Sequence, residues 1–292
     1  MFDRFDRFYN GKEANIAEAA NSPLFGLVEG DILDKDALET AMKGSDVVFH
    51  LAGQAGVGFS VDSPAVTNSV NVDGTLNVLW LAKSLGVRRL VNASSSSIFG
   101  VPRYLPIDED HPTNPTSPYG VSKLSAEQYS TVFDRIYGLE TVSLRYFSVY
   151  GPRGRPDQVI HRFTKALLEG SSPVISGDGT HSRDFTYVTD AVAATILAAE
   201  TQEIGGEVFN IGFGGTTSIN ELAGKLITLT GMEGKVAPKY EEGSKGDFPA
   251  TRADNSKAAR ILGWRPKIGL DEGLKRYVNW FSSSVKFQKG PP

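Results

Sequence analysis

Short apolar runs rich in β-branched residues alternate along this chain with longer stretches that repeat apolar positions at helical spacing. The short runs predict strands at 26–28, 46–51, 89–93 and 141–146. The longer stretches predict helices at about 34–43, 66–86, 118–137, 157–170, 187–200, 218–230 and 269–284. This alternation favours a parallel sheet with helices on both faces, which is a doubly wound, Rossmann-type α/β fold.

The texture of the chain changes after residue 150. The segment Gly151-Pro152-Arg153-Gly154-Arg155-Pro156 combines several breakers of regular structure, and shorter elements with many turns follow it. We therefore expect residues 1–150 to form the main Rossmann-type domain and residues 151–292 to form mainly a smaller α/β substrate-binding lobe. One strand near 207–212 is expected to return to the main sheet.

Composition narrows the possible functions. The 30 basic and 34 acidic residues of the 292 nearly balance, and they form no basic stripe, so no nucleic-acid partner is expected. The absence of cysteine excludes disulfides, thiolate metal sites and thiol catalysis, and the four histidines are scattered without the spacing of metal ligands. We find no run of 18 apolar residues and no signal peptide, so we expect a cytoplasmic protein without a membrane partner.

Candidate chemistry is concentrated in the segment Tyr119-Gly-Val-Ser-Lys123 and in a serine run that contains Ser95, at the end of a predicted strand. Residues four positions apart on a helix share a face, so Lys123 can lie beside Tyr119. A phenol titrates near ~10, and a neighbouring ammonium favours the phenolate and lowers that value. Tyr119 is therefore a candidate general base, with Ser95 sharing its proton.

Further motifs occur in a characteristic order along the chain. They are Val47-Val48-Phe49-His50-Leu51-Ala52, Asn71-Val72-Asp73-Gly74-Thr75, the serine run, Ser117-Pro118-Tyr119, Leu144-Arg145-Tyr146-Phe147, Gly177-Asp178-Gly179, Arg183-Asp184-Phe185 and Leu262-Gly263-Trp264. Together they resemble the extended short-chain dehydrogenase/reductase family, specifically NAD-dependent nucleotide-sugar epimerases of the UDP-glucose 4-epimerase type. The resemblance extends over essentially the whole chain.

The resemblance implies a mechanism in which NAD takes the hydride from C4 of a UDP-sugar. Tyr119, helped by Ser95, would remove the proton of the 4-hydroxyl, and the 4-keto sugar would turn and receive the hydride on its other face. Lys123 would lower the pKa of Tyr119 and hold the nicotinamide ribose. UDP-glucose and UDP-galactose are the expected substrates. By analogy with the family, a homodimer through the helices at about 66–86 and 118–137 is an expected assembly.

The resemblance also assigns binding residues within the NAD-binding domain and the substrate lobe. Asp3 would hold the adenosine ribose, Asp31 would lie on the adenine side, and Asn71 would support the cofactor from below. The full expected NAD set is Asp3, Asp31, Ile32, Leu51, Ala52, Gly53, Asn71, Ala93, Tyr119, Lys123 and Tyr146. The expected sugar-nucleotide set is Ser95, Ser96, Tyr119, Ser148, Arg183, Lys245 and Thr251.

Parts of the substrate set depart from the family pattern. Ser148 stands where relatives carry Asn, and Ser244 stands where they carry a second phosphate-binding Arg. Lys245 can replace that Arg only as a point charge, without its bidentate geometry. Thr251 aligns with a position beside the C2 substituent of the sugar, where a small side chain leaves room for an N-acetyl group.

The front of the chain departs most from the family pattern. Relatives begin with a strand, a glycine-rich turn, a helix and a second strand, and the segment from Phe2 to Tyr9 resembles only the tail of that second strand. We therefore expect a chain that lacks about 30 N-terminal residues, including strands 1 and 2 and the pyrophosphate cradle, and that binds NAD poorly. The strand near Val28 is expected to lack a partner, and the strand near Val48 to have one open edge.

A glycine-rich segment, Gly53-Gln54-Ala55-Gly56-Val57-Gly58, follows a predicted strand. Its glycines have the reverse of the dinucleotide spacing, and we expect no helix to begin directly on it. We therefore interpret it as a wall of the cofactor and sugar pocket.

Three hypotheses stay open, and a UDP-hexose 4-epimerase is the first. Ser96 and Ser97 stand where 4,6-dehydratases carry Asp and Glu, and neutral hydroxyls cannot act as general acids near neutral pH, so elimination is disfavoured. A UDP-glucuronate epimerase or decarboxylase, or a 4-reductase, is the second enzyme hypothesis. The third hypothesis is a non-catalytic homologue that binds a sugar nucleotide or a partner protein.

Overall fold

The computed structural model describes residues 1–4, 15–243 and 249–284. Its strands are β1 (Phe2–Asp3), β2 (Val28–Glu29), β3 (Val47–His50), β4 (Arg89–Ser95), β5 (Glu140–Tyr146), β6 (Val149–Tyr150), β7 (Val174–Ser176), β8 (Ser182–Arg183), β9 (Thr186–Tyr187), β10 (Val208–Ile211), β11 (Thr217–Ser218) and β12 (Lys239–Glu241). Its α-helices are α1 (Lys35–Met42), α2 (Val57–Asp62), α3 (Pro64–Asn68), α4 (Gly74–Ser84), α5 (Pro118–Tyr137), α6 (Val159–Leu168), α7 (Val188–Glu200), α8 (Ile219–Leu229), α9 (Ser256–Ile261) and α10 (Leu270–Ser284).

The main sheet has four parallel strands in the order β10-β5-β4-β3. Ser95, the last residue of β4, lies opposite Tyr146, the last residue of β5. Since all strands run the same way, their carboxyl ends form one edge of the sheet, which is where ligands bind in doubly wound folds. The predicted fold class is confirmed.

Helices cover both faces of this sheet. Adjacent side chains of a strand point to opposite faces, and Leu90 packs with Leu79 of α4 and Phe133 of α5, whereas Val91 packs with Ala194 of α7. All five side chains are buried. Burial of a Leu, Val or Phe side chain stabilises the fold by roughly 1.5–3 kcal/mol, so the alternating pattern holds both helix layers in place.

Of the two expectations about unpaired strand edges, the one for the strand near Val48 agrees with the structure and the one for the strand near Val28 does not. Phe2 pairs with Val28 in a short parallel ladder between β1 and β2, so the expectation that the strand near Val28 has no partner is wrong. Within the described ranges, β3 pairs with β4 on one side only.

A second apolar cluster lies beyond residue 150. Side chains from α6, α8 and α10 form its centre, including Phe163, Leu222 and Tyr277. Asp190 of α7 connects this part to the main sheet, because its carboxylate accepts hydrogen bonds from the backbone N–H groups of Lys267 and Ile268, both at 2.9 Å.

The helix predicted over 66–86 is interrupted. A π-helical turn, Ser69–Asp73, separates α3 from α4. Such turns are rare and are frequent at functional sites. Gly74 follows the turn, and a Cβ there would lie 2.5 Å from the Ile32 side chain, so glycine allows the close approach. Apolar periodicity did not predict the short helix α9 either.

Candidate active site

The beginning of α5 places its side chains against the end of β4. The Ser117 hydroxyl accepts a hydrogen bond from the Gly120 N–H at 3.1 Å, and Pro118 occupies the first turn, so sequence-local capping determines the start of the helix. A Cβ on Gly120 would lie 2.6 Å from the carbonyl oxygen of Ser97. Glycine therefore allows α5 to contact the serine run directly.

Ser95, Tyr119 and Lys123 meet in a cavity of about 700 Å³ at the carboxyl edge of the sheet. The Ser95 hydroxyl lies beside the Tyr119 phenol, where it can donate a hydrogen bond to the phenolate. The Lys123 ammonium donates to the carbonyl oxygen of Ala93 at 2.8 Å. The arrangement can remove a proton from a substrate hydroxyl and pass it between two oxygen atoms.

Burial dominates the titration of both ionisable groups. It raises the pKa of Tyr119 above its ordinary value of 10.0, while the Ser95 hydrogen bond and the positive charge of Arg155 lower that pKa in part. Burial also lowers the pKa of Lys123 from 10.5 to about 8. The positive charge that lowers the Tyr119 pKa in this structure is that of Arg155. The expected effect of Lys123 on that pKa stays a prediction.

A second cavity, of about 660 Å³, lies beside β3. Six of the expected NAD residues line it: Asp3, Asp31, Ile32, Leu51, Ala52 and Gly53. Leu51 and Gly53 also line the first cavity, so the two spaces are neighbours along one wall. Ala93, Tyr119, Lys123 and Tyr146, which complete most of the expected set, line the first cavity.

The residues around this double cavity fit an extended dinucleotide. Acidic side chains that can accept hydrogen bonds from ribose hydroxyls lie at one end of the double cavity, and the Lys123 ammonium lies at the other end. At Gly53, a Cβ would lie 3.0 Å from the Asn71 amide oxygen and 3.3 Å from the Lys123 nitrogen. Glycine therefore allows this loop to pack closely against Asn71 and Lys123 where the two cavities adjoin.

Asn71 lies beneath this wall and lines neither cavity. Its amide oxygen accepts from the Gln54 N–H at 2.7 Å, and its amide nitrogen donates to the Gln54 carbonyl and to the Ser122 hydroxyl. Asn71 therefore ties the loop after β3 to α5. These contacts hold Asn71 in its place in the π-helical turn.

The segment from Gly53 to Gly58 supplies a wall of the first cavity. Contrary to expectation, the short helix α2 begins on it at Val57, after Gly56 with φ of 108°. A β-carbon is strained at that angle, so glycine is required there for the turn.

The expected substrate residues Ser96, Ser148, Arg183 and Thr251 line the first cavity together with Ser95 and Tyr119. Ser148 and Arg183 also line an adjoining cavity of about 310 Å³, whose walls combine apolar and polar side chains. The Thr251 hydroxyl accepts from the Asp184 N–H at 3.1 Å, which orients the side chain. Ser244 and Lys245 lie outside the described residues.

Sequence reasoning missed several side chains of the site. Arg155 lines the first cavity and forms a bidentate ion pair with Asp157, with both N–O distances 3.0 Å. Gln158 lines the same wall, and Thr195 of α7 shares a 2.6 Å hydrogen bond with the Tyr146 phenol. The signal for Arg155 in the sequence was Arg155-Pro156-Asp157, at the end of the breaker segment, since residues two positions apart can form an ion pair where the chain turns.

A parallel Rossmann-type sheet with a serine at the end of a central strand, and a tyrosine and a lysine on the helix beside it, is the arrangement of a short-chain dehydrogenase/reductase-type enzyme. The chain belongs to the NAD dependent epimerase/dehydratase family, whose sequence profile it matches over residues 4–212. It is accordingly an NAD-dependent enzyme.

Individual relatives are similar over nearly the whole chain. A putative UDP-glucose 4-epimerase of Methanocaldococcus jannaschii is 39% identical over 284 residues, which cover 96% of this chain and 90% of that protein. A UDP-glucuronate 4-epimerase of Thermodesulfobacterium geofontis is 41% identical over 278 residues, which cover 94% and 84%. The crystal structure of UDP-glucuronic acid 4-epimerase from Bacillus cereus, with UDP-glucuronic acid and NAD, has a TM-score of 0.92 at 34% identity, covering 97% and 90%.

Among the described residues, no helix combines the length and apolar character that crossing a bilayer requires.

Proposed function

We propose that this protein catalyses the reversible inversion of configuration at C4 of a UDP-linked hexose. The observation that carries the proposal is the placement of Ser95 beside Tyr119 in a cavity that adjoins the second cavity at Leu51 and Gly53. A sugar in the first cavity would have its reacting hydroxyl against Tyr119 and its C4 hydrogen toward the nicotinamide whose ribose Lys123 would hold.

NAD held along the two cavities would supply a reversible hydride acceptor for C4. Tyr119, as the phenolate, takes the proton of the 4-hydroxyl, and Ser95 donates a hydrogen bond within the pair. After the 4-keto sugar has turned, Tyr119 returns the proton to the same oxygen. Lys123 holds a positive charge beside this site and would bind the nicotinamide ribose. No net oxidation results.

The absence of an acid beside Ser95 supports epimerisation rather than elimination. Ser96 and Ser97 line the cavity, and neither hydroxyl can protonate a leaving hydroxyl group near neutral pH. The same serines can instead donate hydrogen bonds to the sugar.

Arg155 favours an acidic sugar as the substrate. Its positive charge lowers the pKa of the Tyr119 phenol, and the sugar O4 is expected to lie beside that phenol. C6 is bonded to C5, the neighbour of C4, so a carboxylate at C6 would lie close to the same guanidinium and could compete with Asp157 for a charge-assisted hydrogen bond. We therefore place UDP-glucuronate and UDP-galacturonate first. UDP-glucose and UDP-galactose, which the sequence resemblance favours, are the second candidates.

Product analysis of the NAD-loaded protein tests the proposal. Each of UDP-glucose, UDP-galactose and UDP-glucuronate is incubated separately, and the products are resolved by chromatography and proton NMR. The expected product is the 4-epimer of the input sugar, with neither CO₂ nor water lost. A stable, NAD-loaded protein that converts none of these sugars would contradict the proposal and support the non-catalytic alternative.

Replacement of Arg155 separates the two substrate candidates. A hydrogen bond to a charged group contributes about 1.5–3 kcal/mol, so Arg155→Met should reduce kcat/KM for UDP-glucuronate about 10- to 100-fold more than for UDP-glucose. Arg153→Met is the matched control, because the Arg153 side chain reaches the Asn15 carbonyl and does not line the cavity. Equal losses on both sugars would contradict the acidic preference.

We also propose that the protein forms a homodimer through α4 and α5. Exposed apolar side chains follow one stripe of α5, at Tyr129, Val132 and Ile136, and Trp80 of α4 is 52% exposed. Such a stripe is unusual on a surface that stays in contact with water. Sedimentation velocity should show a dimer that Ile136→Arg converts to a monomer, and a monomeric wild-type protein at all concentrations would contradict the proposal.

A further inference from the structure

The carboxylate of Glu127 is fully buried inside the main domain, on α5. It accepts a hydrogen bond from the Ser94 hydroxyl at 2.7 Å and two from the Arg145 guanidinium, at 3.0 Å and 2.7 Å. Neither Glu127 nor Arg145 is among the groups through which the proposed chemistry passes. Their placement therefore calls for a separate explanation.

The three side chains join one helix to two strands. Ser94 of β4 lies directly opposite Arg145 of β5, and both contact the same carboxylate on α5. Ser94 immediately precedes Ser95, and Glu127 follows Tyr119 by two helical turns on the same face. The cluster therefore links the strand that carries the serine of the proton relay with the helix that carries its tyrosine.

The linkage continues beyond this cluster. The remaining Arg145 nitrogen donates to the Glu109 carbonyl at 2.9 Å, and the guanidinium lies 5.1 Å from the centre of the Phe99 ring. Phe99 belongs to the segment that follows the serine run. Arg145 thus contacts the loop that follows the serine run at two places, Phe99 and Glu109.

The chemistry of this cluster suits positioning better than stability. Two apolar side chains could fill the same space, and replacing a buried ion pair in this way is often neutral or stabilising. Apolar packing, however, tolerates a small slide of a helix along a sheet. A carboxylate with three specific donors fixes the position of α5 along β4, and a misplacement of about 1 Å at a reacting group can reduce the rate about 100-fold.

We infer that Glu127, together with Arg145 and Ser94, is a positioning residue that sets the distance between the Ser95 and Tyr119 hydroxyls. The inference rests on the proposed function for its kinetic consequence. Its structural consequence, the immobilisation of the serine run against α5, can be measured separately.

The chain contains a matched control. Arg89, at the opposite end of β4, is also fully buried and forms an ion pair with Glu140 at 2.6 Å. It binds the carbonyl groups at the end of α7, including that of Ala199 at 3.2 Å. Six residues of strand, roughly 20 Å, separate it from Ser95. Loss of Arg89 should destabilise the fold without changing the geometry of the site.

The experiment compares Glu127→Gln, Ser94→Ala and Arg89→Met with the NAD-loaded wild type, at a temperature well below each unfolding midpoint. Glu127→Gln should lower kcat about 10- to 100-fold and leave KM for the UDP-sugar within about 2-fold. Ser94→Ala removes only one of three donors to Glu127 and should lower kcat about 3- to 10-fold. Arg89→Met should lower the unfolding temperature while kcat per folded molecule stays unchanged.

Amide hydrogen exchange of the peptide 93–100 provides the second measurement. It should become faster in Glu127→Gln and Ser94→Ala, and stay unchanged in Arg89→Met. If wild type turns over no UDP-sugar, the proposed function fails and this exchange pattern alone decides the inference. If Ser94→Ala keeps the wild-type kcat and the wild-type exchange rate, the inference is overturned, even if Glu127→Gln does not fold. A loss of kcat in Arg89→Met as large as that in Ser94→Ala would overturn it as well.

Discussion

The buried ammonium of Lys123 should cost stability at neutral pH. Its side chain is 8% exposed, and burial lowers its pKa from 10.5 to about 8. Each tenfold change in proton affinity corresponds to 1.36 kcal/mol, so keeping this group charged in the folded protein costs about 3 kcal/mol below pH 8. Methionine at this position would remove that cost but would leave the Ala93 carbonyl without its donor, which costs about 1 kcal/mol. Lys123→Met should therefore stabilise the NAD-free protein by about 2 kcal/mol at pH 7.

The sign of the pH dependence follows from the lowered pKa. Between pH 8 and about 10.5 the unfolded chain keeps the lysine proton that the folded protein has lost, so wild-type stability rises with pH in this window. The Lys123→Met variant should not share this rise. Urea unfolding of the NAD-free proteins at pH 7.0 and 9.5 measures both the stabilisation and its pH dependence. Lys43→Met is the control, because the Lys43 side chain is exposed. Identical pH slopes for wild type and Lys123→Met would refute the reasoning.

The remaining predictions concern the proton relay and the breadth of the sugar site. Ser95→Ala should reduce kcat about 100-fold or more, as expected for a positioned proton-transfer group, and stopped-flow turnover with a saturating UDP-sugar measures this. Thr251 lines the cavity with an oriented hydroxyl, and Thr251→Tyr should suppress epimerisation of UDP-N-acetylhexosamines while UDP-hexoses still react. Equal losses on the two sugar classes would count against this role for Thr251.

The alternation of apolar and polar positions was sufficient to predict the main sheet. Strands β3, β4 and β5 lie within one or two residues of the predicted runs, because each carries apolar side chains for both helix layers. The break in the helix over 66–86 could not be predicted in this way. The π-helical turn depends on the contacts of Asn71 with Gln54 and Ser122, which come from other parts of the chain.

The candidate site shows the same division. Tyr119 and Lys123 are recognisable because their spacing on a helix makes them neighbours, and the capping of α5 by Ser117 is local. The effect of Arg155 on the Tyr119 pKa was not predictable, since it depends on how the segment after β6 folds back over the cavity. The Glu127–Arg145 pair likewise becomes visible only when the register of β4 and β5 is known.

The transfer of a proton to Tyr119 is the central claim, and one measurement tests it most directly. NAD-loaded wild type and Tyr119→Phe are incubated with the UDP-sugar that the wild type converts, and the 4-epimer is quantified while nucleotide binding is followed by calorimetry. Phenylalanine keeps the ring and removes the proton acceptor, so epimer formation should fall about 1,000-fold or more with nucleotide binding nearly unchanged. Wild-type turnover by Tyr119→Phe would contradict the mechanism.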